Sequence, residues 1–127
     1  MGYRSEVALA VSKEALPHFL SVLAQEPNAV PMVFSHHDTL ERNYDGEGTL
    51  LVHWSDIKWY DSYPEVQAIN SFVEDLEGDL LDGFELPEGE DQGDHVRFVR
   101  LGEDLNDSEE KGNLHWSDIG FSRTLSF

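Results

Sequence analysis

The chain of 127 residues contains no cysteine. This absence excludes a disulfide framework, a cysteine nucleophile and any zinc or iron–sulfur site that needs thiolate ligands. Basic residues are scarce, because 8 lysines and arginines stand against 26 acidic residues and leave a formal charge of −18. A chain of this charge repels nucleic acid and anionic membranes at long range. We therefore expect no direct nucleic-acid binding and no membrane binding.

Long apolar runs are also missing, since no stretch approaches the roughly 18 uninterrupted apolar residues that a membrane-spanning helix needs. The first residues do not combine a basic segment with an apolar one, as a secretory signal peptide does. We therefore expect a cytoplasmic protein. With 39% apolar residues the chain can bury its own core, and we expect a single α+β domain over residues 1–127.

The hydrophobic pattern predicts alternating strands and helices. Tyr3 to Val11 alternates large and small apolar residues, which is typical of a strand covered on both faces. Helices are predicted over residues 16–25 and 64–77 from apolar residues at helical spacing. The other predicted elements are strands at Met32 to His36, Gly48 to Trp54 and His95 to Leu101, an acidic loop at Gly102 to Gly112, and a terminal strand or hairpin at Leu114 to Phe127.

The resulting order, β-α-β-β-α-β-β, predicts a ferredoxin-like plait, which is a split βαβ arrangement, with one added strand. This fold places two helices on one face of a mainly antiparallel sheet. The residues predicted to form the core are Val7, Leu9, Val11, Leu20, Val52, Ile69, Val73, Val96 and Phe98.

The pentapeptide His-Trp-Ser-Asp-Ile occurs at residues 53–57 and again at residues 115–119. A histidine, a hydroxyl and a carboxylate can build a catalytic or metal site, but neighbouring side chains of a strand point to opposite faces. We expect both copies near strand ends, with Trp54 and Trp116 structural and Ser-Asp forming an exit turn. Trp116→Ala should then cost about 3–5 kcal/mol. Duplication of a half-chain unit is the other explanation.

No hydrolase, zinc-protease or nucleotide-binding motif occurs. The acidic windows that start at Asn43 and Glu88 do not fit an EF-hand, because Trp54 and Val99 stand where its last glutamate should be. The sequence favours a non-enzymatic protein without a cofactor. The alternative is a small-ligand or metal-binding module in which His53, His115 and neighbouring carboxylates share a site on the sheet. His36, His37 and Asp38 could add ligands, although neighbours in a strand face opposite ways.

Acidic residues are concentrated between Glu74 and Glu110, where fifteen acids stand against two bases. Several lie at the C-terminal end of the second helix, where the helix dipole disfavours negative charge. An aromatic cluster near Trp59 is either core or, if exposed, an anchor for a partner presenting arginine or lysine. The predicted partner-binding residues are Glu74, Asp75, Glu77, Asp79, Asp82, Glu88, Glu90, Asp91, Asp94, Trp59 and Tyr60.

The segments MGYRSEVALAV, at the start of the chain, and KWYDSYPEVQA, from Lys58 to Ala68, resemble a group of small, functionally uncharacterised bacteriophage proteins. Those proteins open with Met-Gly-Tyr-Arg-Ser-Asp/Glu-Val and carry a Lys-Trp-Tyr segment before a helix. The resemblance implies a viral protein made in a bacterial cytoplasm and assigns no catalytic residue. Together with the charge, it favours an inhibitor that imitates nucleic acid and engages a basic surface of a host protein. The sequence is also compatible with a homo-oligomer.

Overall fold

The computed structural model describes residues 2–104, 106–115, 118–121 and 125–126. Within these residues the chain forms an α+β fold. In chain order the elements are β1 (Ser5–Val11), α1 (Leu16–Gln25), α2 (Ala29–Phe34), β2 (Thr39–Glu41), β3 (Leu50–Ile57), α3 (Pro64–Glu77), a 3-10 turn (Gln92–His95), β4 (Val96–Gly102), β5 (Ser108–Lys111), β6 (Gly120–Phe121) and β7 (Leu125–Ser126). No helix in these ranges is long and apolar enough to cross a bilayer.

Five strands form an open antiparallel sheet in the order β2-β3-β1-β4-β5, and β6 pairs with β7 separately. β1 lies at the centre, where Ser5 pairs with Ile57 of β3 and Val11 pairs with Val96 of β4. A strand of this length spans roughly 23 Å. Its Ser5 end and its Val11 end therefore define two well-separated ends of the molecule.

All three described helices pack on one face of this sheet, because their apolar side chains recur at helical spacing. Both long helices agree with the predicted ranges, since α1 buries Phe19 and Leu23 and α3 buries five side chains. The predicted core residues Val7, Leu9, Val11, Val52, Ile69, Val73, Val96 and Phe98 are all buried here.

The core prediction is wrong for Leu20, which is 42% exposed. α1 is turned so that Phe19 and Leu23 face the sheet, and Leu20 lies to one side of them. Leu20 instead lines an apolar groove of about 260 Å³ with Leu16 and Phe34. The helical spacing of apolar residues in α1 does not reveal which of them lies at the margin of the core.

The opposite face of the sheet is also covered, as the alternation in β1 predicts. Ala8 and Ala10 point away from the helices and are fully buried against Leu51, Val99 and Ile119. Ile119 belongs to the segment that follows β5, so this segment crosses the face. The small side chains of Ala8 and Ala10 leave room for this segment to lie close to the sheet.

The predicted strand from Met32 to His36 is wrong, because Met32, Val33 and Phe34 belong to α2. Ala29, Met32 and Val33 are buried at positions i, i+3 and i+4, a spacing that suits a short helix. Pro31 is tolerated because it lies in the first turn, where its missing N–H has no partner to lose. The fold therefore has three helices on the sheet rather than two.

The predicted acidic loop from Gly102 to Gly112 contains an edge strand, β5. Arg100 of β4 lies opposite Glu109 of β5, with Nη2 2.8 Å from Oε1. Arg97 forms an ion pair with Glu110 diagonally, because Val99 lies directly opposite Glu110. Opposite charges across an antiparallel pair stabilise the pairing, so these acids form a strand despite a composition typical of a loop.

Candidate functional site

Carboxylates from separate parts of the chain converge at the Val11 end of the sheet. The segment from Lys111 to His115 runs along this end and contacts several of them in turn. We call nine carboxylates here the acidic strip: Glu14, Asp45, Glu47, Glu74, Glu77, Asp79, Glu90, Asp91 and Asp94.

The C-terminal end of α3 is fixed against the start of this segment. Lys111 Nζ lies 3.1 Å from Glu74 Oε1, and the Gly112 N–H donates to Glu77 Oε2 at 3.0 Å. Both acids lie at a helix end where the dipole disfavours them. Glu74 therefore connects the helix to the Lys111 side chain, and Glu77 connects it to the Gly112 backbone.

Two further carboxylates join the strip along the same segment. Asn113 Nδ2 lies 3.4 Å from Asp94 Oδ1. His115 Nε2 lies 2.7 Å from Asp45 Oδ2, although the two residues are 70 positions apart. The strip is therefore assembled by tertiary structure, not by one acidic run.

The 3-10 turn is fixed by acids of its own. Asp91 and Asp94 each bond the other's backbone N–H in a capping box. Asp79 Oδ1 accepts from the Gln92 N–H at 3.2 Å. Replacing these three acids would change the turn and the surface charge together, so they are poor choices for testing charge alone.

A cleft of about 210 Å³ lies between the elements that carry the strip. His95 lines it and is 8% exposed, with Nε2 3.1 Å from Glu90 Oε1 and Nδ1 2.8 Å from Ser12 Oγ. The cleft is acidic, because its lining carboxylates are Glu14, Asp45, Glu47, Glu90 and Asp94.

Asp45 is the carboxylate whose hydrogen bonds fix the loop between β2 and β3. It accepts from the backbone N–H groups of Glu47 and Thr49, from the Thr49 hydroxyl and from His115. Burial favours the neutral acid, but the bonds from Thr49 and His115 outweigh it and hold the pKa of Asp45 well below its ordinary value. Asp45 is therefore ionised in the folded protein at neutral pH.

We expect Asp45→Asn to lower the free energy of unfolding at pH 7 by about 2 kcal/mol, because charge-assisted hydrogen bonds are lost. A folded-state pKa below the unfolded one stabilises the fold above about pH 4, and this contribution disappears as the pH falls further. The difference between variant and parent should therefore shrink at pH 3. Urea unfolding at both pH values measures it, with the exposed Glu47→Gln as control. An equal difference at both would contradict the assignment.

Six of the predicted partner-binding residues belong to the acidic strip: Glu74, Glu77, Asp79, Glu90, Asp91 and Asp94. Asp75 is half-buried, and Asp82 and Glu88 are exposed on the chain between α3 and the 3-10 turn. Sequence reasoning missed Glu14, Asp45 and Glu47. These three lie outside the acid-rich stretch, and a linear count of charges gives no signal that they join it.

The acids after Gly102 do not extend the strip. Asp107 accepts from Arg100 at 2.6 Å and from the Tyr3 hydroxyl at 2.7 Å, and these bonds hold its pKa below the ordinary value. Glu109 and Glu110 pair with arginines of β4. The acid-rich stretch is thus split into an exposed set at the Val11 end and a set neutralised by ion pairs.

Trp59, one of the predicted partner-binding residues, is 8% exposed, which agrees with the core interpretation of the aromatic cluster and not with an exposed anchor. Its ring centroid lies 5.5 Å from that of Trp54 and 5.8 Å from that of Phe98, and its Nε1 donates to Asn70 Oδ1. Core packing therefore accounts for this side chain. Tyr60, the second predicted aromatic, is half-buried.

The first copy of the repeated pentapeptide lies in β3, and its residues alternate between the two faces. Trp54 is buried on the helix face, where its Nε1 donates to the Met32 carbonyl at 3.0 Å. His53 points to the opposite face, with Nε2 2.8 Å from Glu6 Oε2. Trp54 is therefore structural, as expected.

The second copy differs from the first at the residues that the structure describes. His115 has a φ of +51°, and the N–H groups of Asp118 and Ile119 both donate to its carbonyl. These three residues lie outside any strand, whereas the first copy lies within β3. Trp116 and Ser117 lie outside the described residues, and so does the predicted structural role of Trp116.

The two histidines of the repeat do not share a site. His53 lies beside Glu6, and His115 lies beside Asp45. In the part of the chain that the structure describes, no three His, Asp or Glu side chains are placed to hold one metal ion.

Comparison with known proteins returns no match: no family model, no curated protein and no solved structure matches this chain. The class of protein is therefore argued from geometry and charge. These define an α+β protein with an acidic strip at one end of its sheet.

Proposed function

We propose that this chain is a non-enzymatic acidic binding protein, encoded by a bacteriophage, that engages a basic surface of a host protein in the bacterial cytoplasm. The convergence of nine carboxylates on one end of the fold carries the proposal. The resemblance of two segments to small phage proteins supports the source. In this role the protein inhibits a nucleic-acid-binding partner by occupying the surface that would contact phosphates.

The acidic strip suits this role because little positive charge opposes it. Lys111 pairs with Glu74, and Lys13 packs its side chain against Gly48 at the same end. Exposed charges farther apart than a Debye length, about 8 Å at physiological salt, are largely screened from each other. Charges that lie close together instead add to one local potential, which speeds association with a basic surface.

The rigidity of the strip also supports imitation of nucleic acid. Duplex DNA presents a closely spaced row of negative charges on a stiff scaffold. Hydrogen bonds to the backbone fix Asp45, Glu77, Asp79 and Asp94 in the strip. Side chains that are already ordered lose less conformational entropy when a partner binds.

We further propose that the fold is a ferredoxin-like plait with additions. The strand order β2-β3-β1-β4 supports this, since β1 and β2 run parallel with β3 between them, as a split βαβ unit requires. In this description α2 is an insertion between α1 and β2, and β5 is the added edge strand.

The test is a matched pair of triple variants. The strip variant replaces Glu14, Glu47 and Glu90 with Gln, because these side chains line the acidic cleft and cap no helix or turn. The control variant makes the same replacement at Glu26, Glu41 and Glu103, which lie outside the strip. Both variants remove three negative charges, one set at the strip and one set outside it. Glutamine can keep the hydrogen bonds of Glu90 with His95 and of Glu26 with the Asn28 N–H, so the charge is the main difference.

We expect the parent and the control variant to bind the same basic protein in bacterial lysate at low salt. Duplex DNA should compete with this chain for that basic protein. For the purified pair, the strip variant should associate about tenfold more slowly and with a weaker dependence on salt. Its melting temperature should hold or rise as self-repulsion falls. Equal rates and salt dependence for the two variants would show that the acidity serves solubility alone.

A further inference from the structure

A second cleft, of about 460 Å³, lies at the Ser5 end of the sheet, opposite the acidic strip. It gathers residues from the motifs that the strip does not use. Arg4 comes from the opening segment, and His36 and Asp38 come from the His-His-Asp segment. Asp56 belongs to the first pentapeptide, and Lys58 belongs to the Lys-Trp-Tyr segment. Segments that are far apart in the sequence therefore meet around one space.

The cleft has the size of a small-molecule site, since its volume lies within the range of roughly 300–1,000 Å³ that such sites occupy. Its lining is mixed. Charged or polar side chains are in the majority, and the half-buried Ile57 and Tyr63 add apolar surface beside them. A ligand that fits this lining must therefore carry charge as well as an apolar part.

Arg4 and Lys58 both line this cleft, and neither has a carboxylate within ion-pairing distance among the residues that the structure describes. Among the other described bases, Arg97, Arg100 and Lys111 form ion pairs, whereas Lys13 and Arg42 form none but do not line this cleft. In a chain with 26 acids and 8 bases, two cations on one cleft without such a partner have charge available for a ligand.

Acidic groups line the same cleft without neutralising these cations. Asp56 and Glu65 form no ion pair within the described ranges. Asp38 accepts from the Ser55 N–H at 2.6 Å, and this bond lowers the pKa of Asp38, so the group is ionised. Positively and negatively charged side chains therefore line the same cleft without forming ion pairs with each other.

The stem of Lys58 lies against the backbone at Gly2. A Cβ atom on Gly2 would lie 2.9 Å from Lys58 Cε and 2.2 Å from Tyr60 Oη, so the backbone at Gly2 packs directly on both side chains. An ammonium group whose stem is already packed loses less conformational entropy when it binds a ligand.

We propose that this cleft binds a small zwitterionic ligand with an apolar body, of the class of amino acids and short peptides. The net charge of −18 repels a purely anionic ligand, and a purely cationic ligand would leave Arg4 and Lys58 without partners. A ligand that carries both signs satisfies both sets of side chains. Because it is neutral overall, the long-range field does not oppose its approach, and its apolar body covers the apolar lining.

Three probes with the same six-carbon body test the proposal on the full chain: 6-aminohexanoate, hexanoate and hexylammonium, with L-leucine as a second zwitterion. Binding is followed by proton–nitrogen NMR titration, with the Lys58 amide and the Trp54 indole as reporters. We expect at least one zwitterion to bind about tenfold more tightly than either singly charged probe, a difference of about 1.4 kcal/mol. No binding of either zwitterion, or equal binding of hexanoate or hexylammonium, would overturn the proposal.

Two variants test which side chain of the cleft binds each charged group of the ligand. Lys58→Met keeps the length of the side chain and should remove the preference for the zwitterion over hexylammonium. Glu65→Gln should reduce the preference over hexanoate. Lys13→Met, at the other end of the sheet, and the strip variant are controls that should leave binding unchanged, so this result is independent of the proposed function. A preference that survives in both cleft variants would contradict the site, and their spectra report whether they are folded.

Discussion

Trp54→Ala is expected to lower the free energy of unfolding by about 3–5 kcal/mol, the range for removing a buried aromatic side chain. Trp54 is 1% exposed and packs between β3 and the helices, with its ring against that of Trp59. Its Nε1 also donates to the Met32 carbonyl in α2. The substitution therefore opens a cavity and removes a donor from a buried carbonyl, and both changes destabilise the fold.

Urea unfolding measures this loss, and two control variants separate the contribution of the buried ring from that of the hydrogen bond. Trp54→Phe keeps much of the apolar area but lacks the N–H, so it should cost about 1–2 kcal/mol. Leu20→Ala, on the exposed side of α1, should cost less than about 1 kcal/mol. If Trp54→Ala unfolds at the urea concentration of the parent, the assignment of this tryptophan to the core is wrong.

Elements with one dominant periodicity could be predicted from the sequence. β1 alternates Val7, Leu9 and Val11 with Ala8 and Ala10, and only a strand buried on both faces uses such a pattern well. α3 carries a long stripe of apolar residues with Pro64 in its first turn, a position that suits proline. In both elements the local preference and the tertiary packing agree.

Elements that depend on distant partners could not be predicted. β5 is stable as a strand because Arg100 of β4 lies opposite Glu109 and Arg97 pairs diagonally with Glu110, and these partners meet only in the folded sheet. α2 was ambiguous for a different reason, since its short apolar run is compatible with either period. His53 lies in β3, whereas the matching His115 lies outside any strand with a φ of +51°, so tertiary context can override identical local sequence.

The surface shows the same difference between features that local sequence determines and features that distant contacts determine. Charge density along the chain predicted the part of the acidic strip from Glu74 to Asp94, because those residues are neighbours in sequence. Glu14 and Asp45 join it through contacts with His95 and His115, which no local pattern encodes. The charged cleft at the Ser5 end was equally hidden, because Arg4 from the opening segment and Lys58 from the Lys-Trp-Tyr segment meet only in the folded chain.

The segment that connects the strip depends on a glycine. Gly112 has a φ of +80°, and a Cβ atom added there would lie 2.0 Å from the Val96 carbonyl oxygen and 2.8 Å from its carbon. A clash with backbone cannot be relieved by rotating a side chain. The Gly112 N–H donates to Glu77, and its carbonyl accepts from Arg97 at 3.0 Å, so a shift of this backbone breaks both contacts.

We therefore expect Gly112→Ala to lower the free energy of unfolding by about 3 kcal/mol or more, since backbone strain and two lost hydrogen bonds add. Gly83→Ala is the matched control, because Gly83 has a φ of +81° and no atom within 4 Å of the added Cβ. The control should show the conformational cost alone, about 1 kcal/mol. Urea unfolding of the two variants separates the contributions. An equal loss in both would mean that the segment does not approach β4 as closely as the structure places it, and the arrangement of the acidic strip along Lys111 to His115 would fail with it.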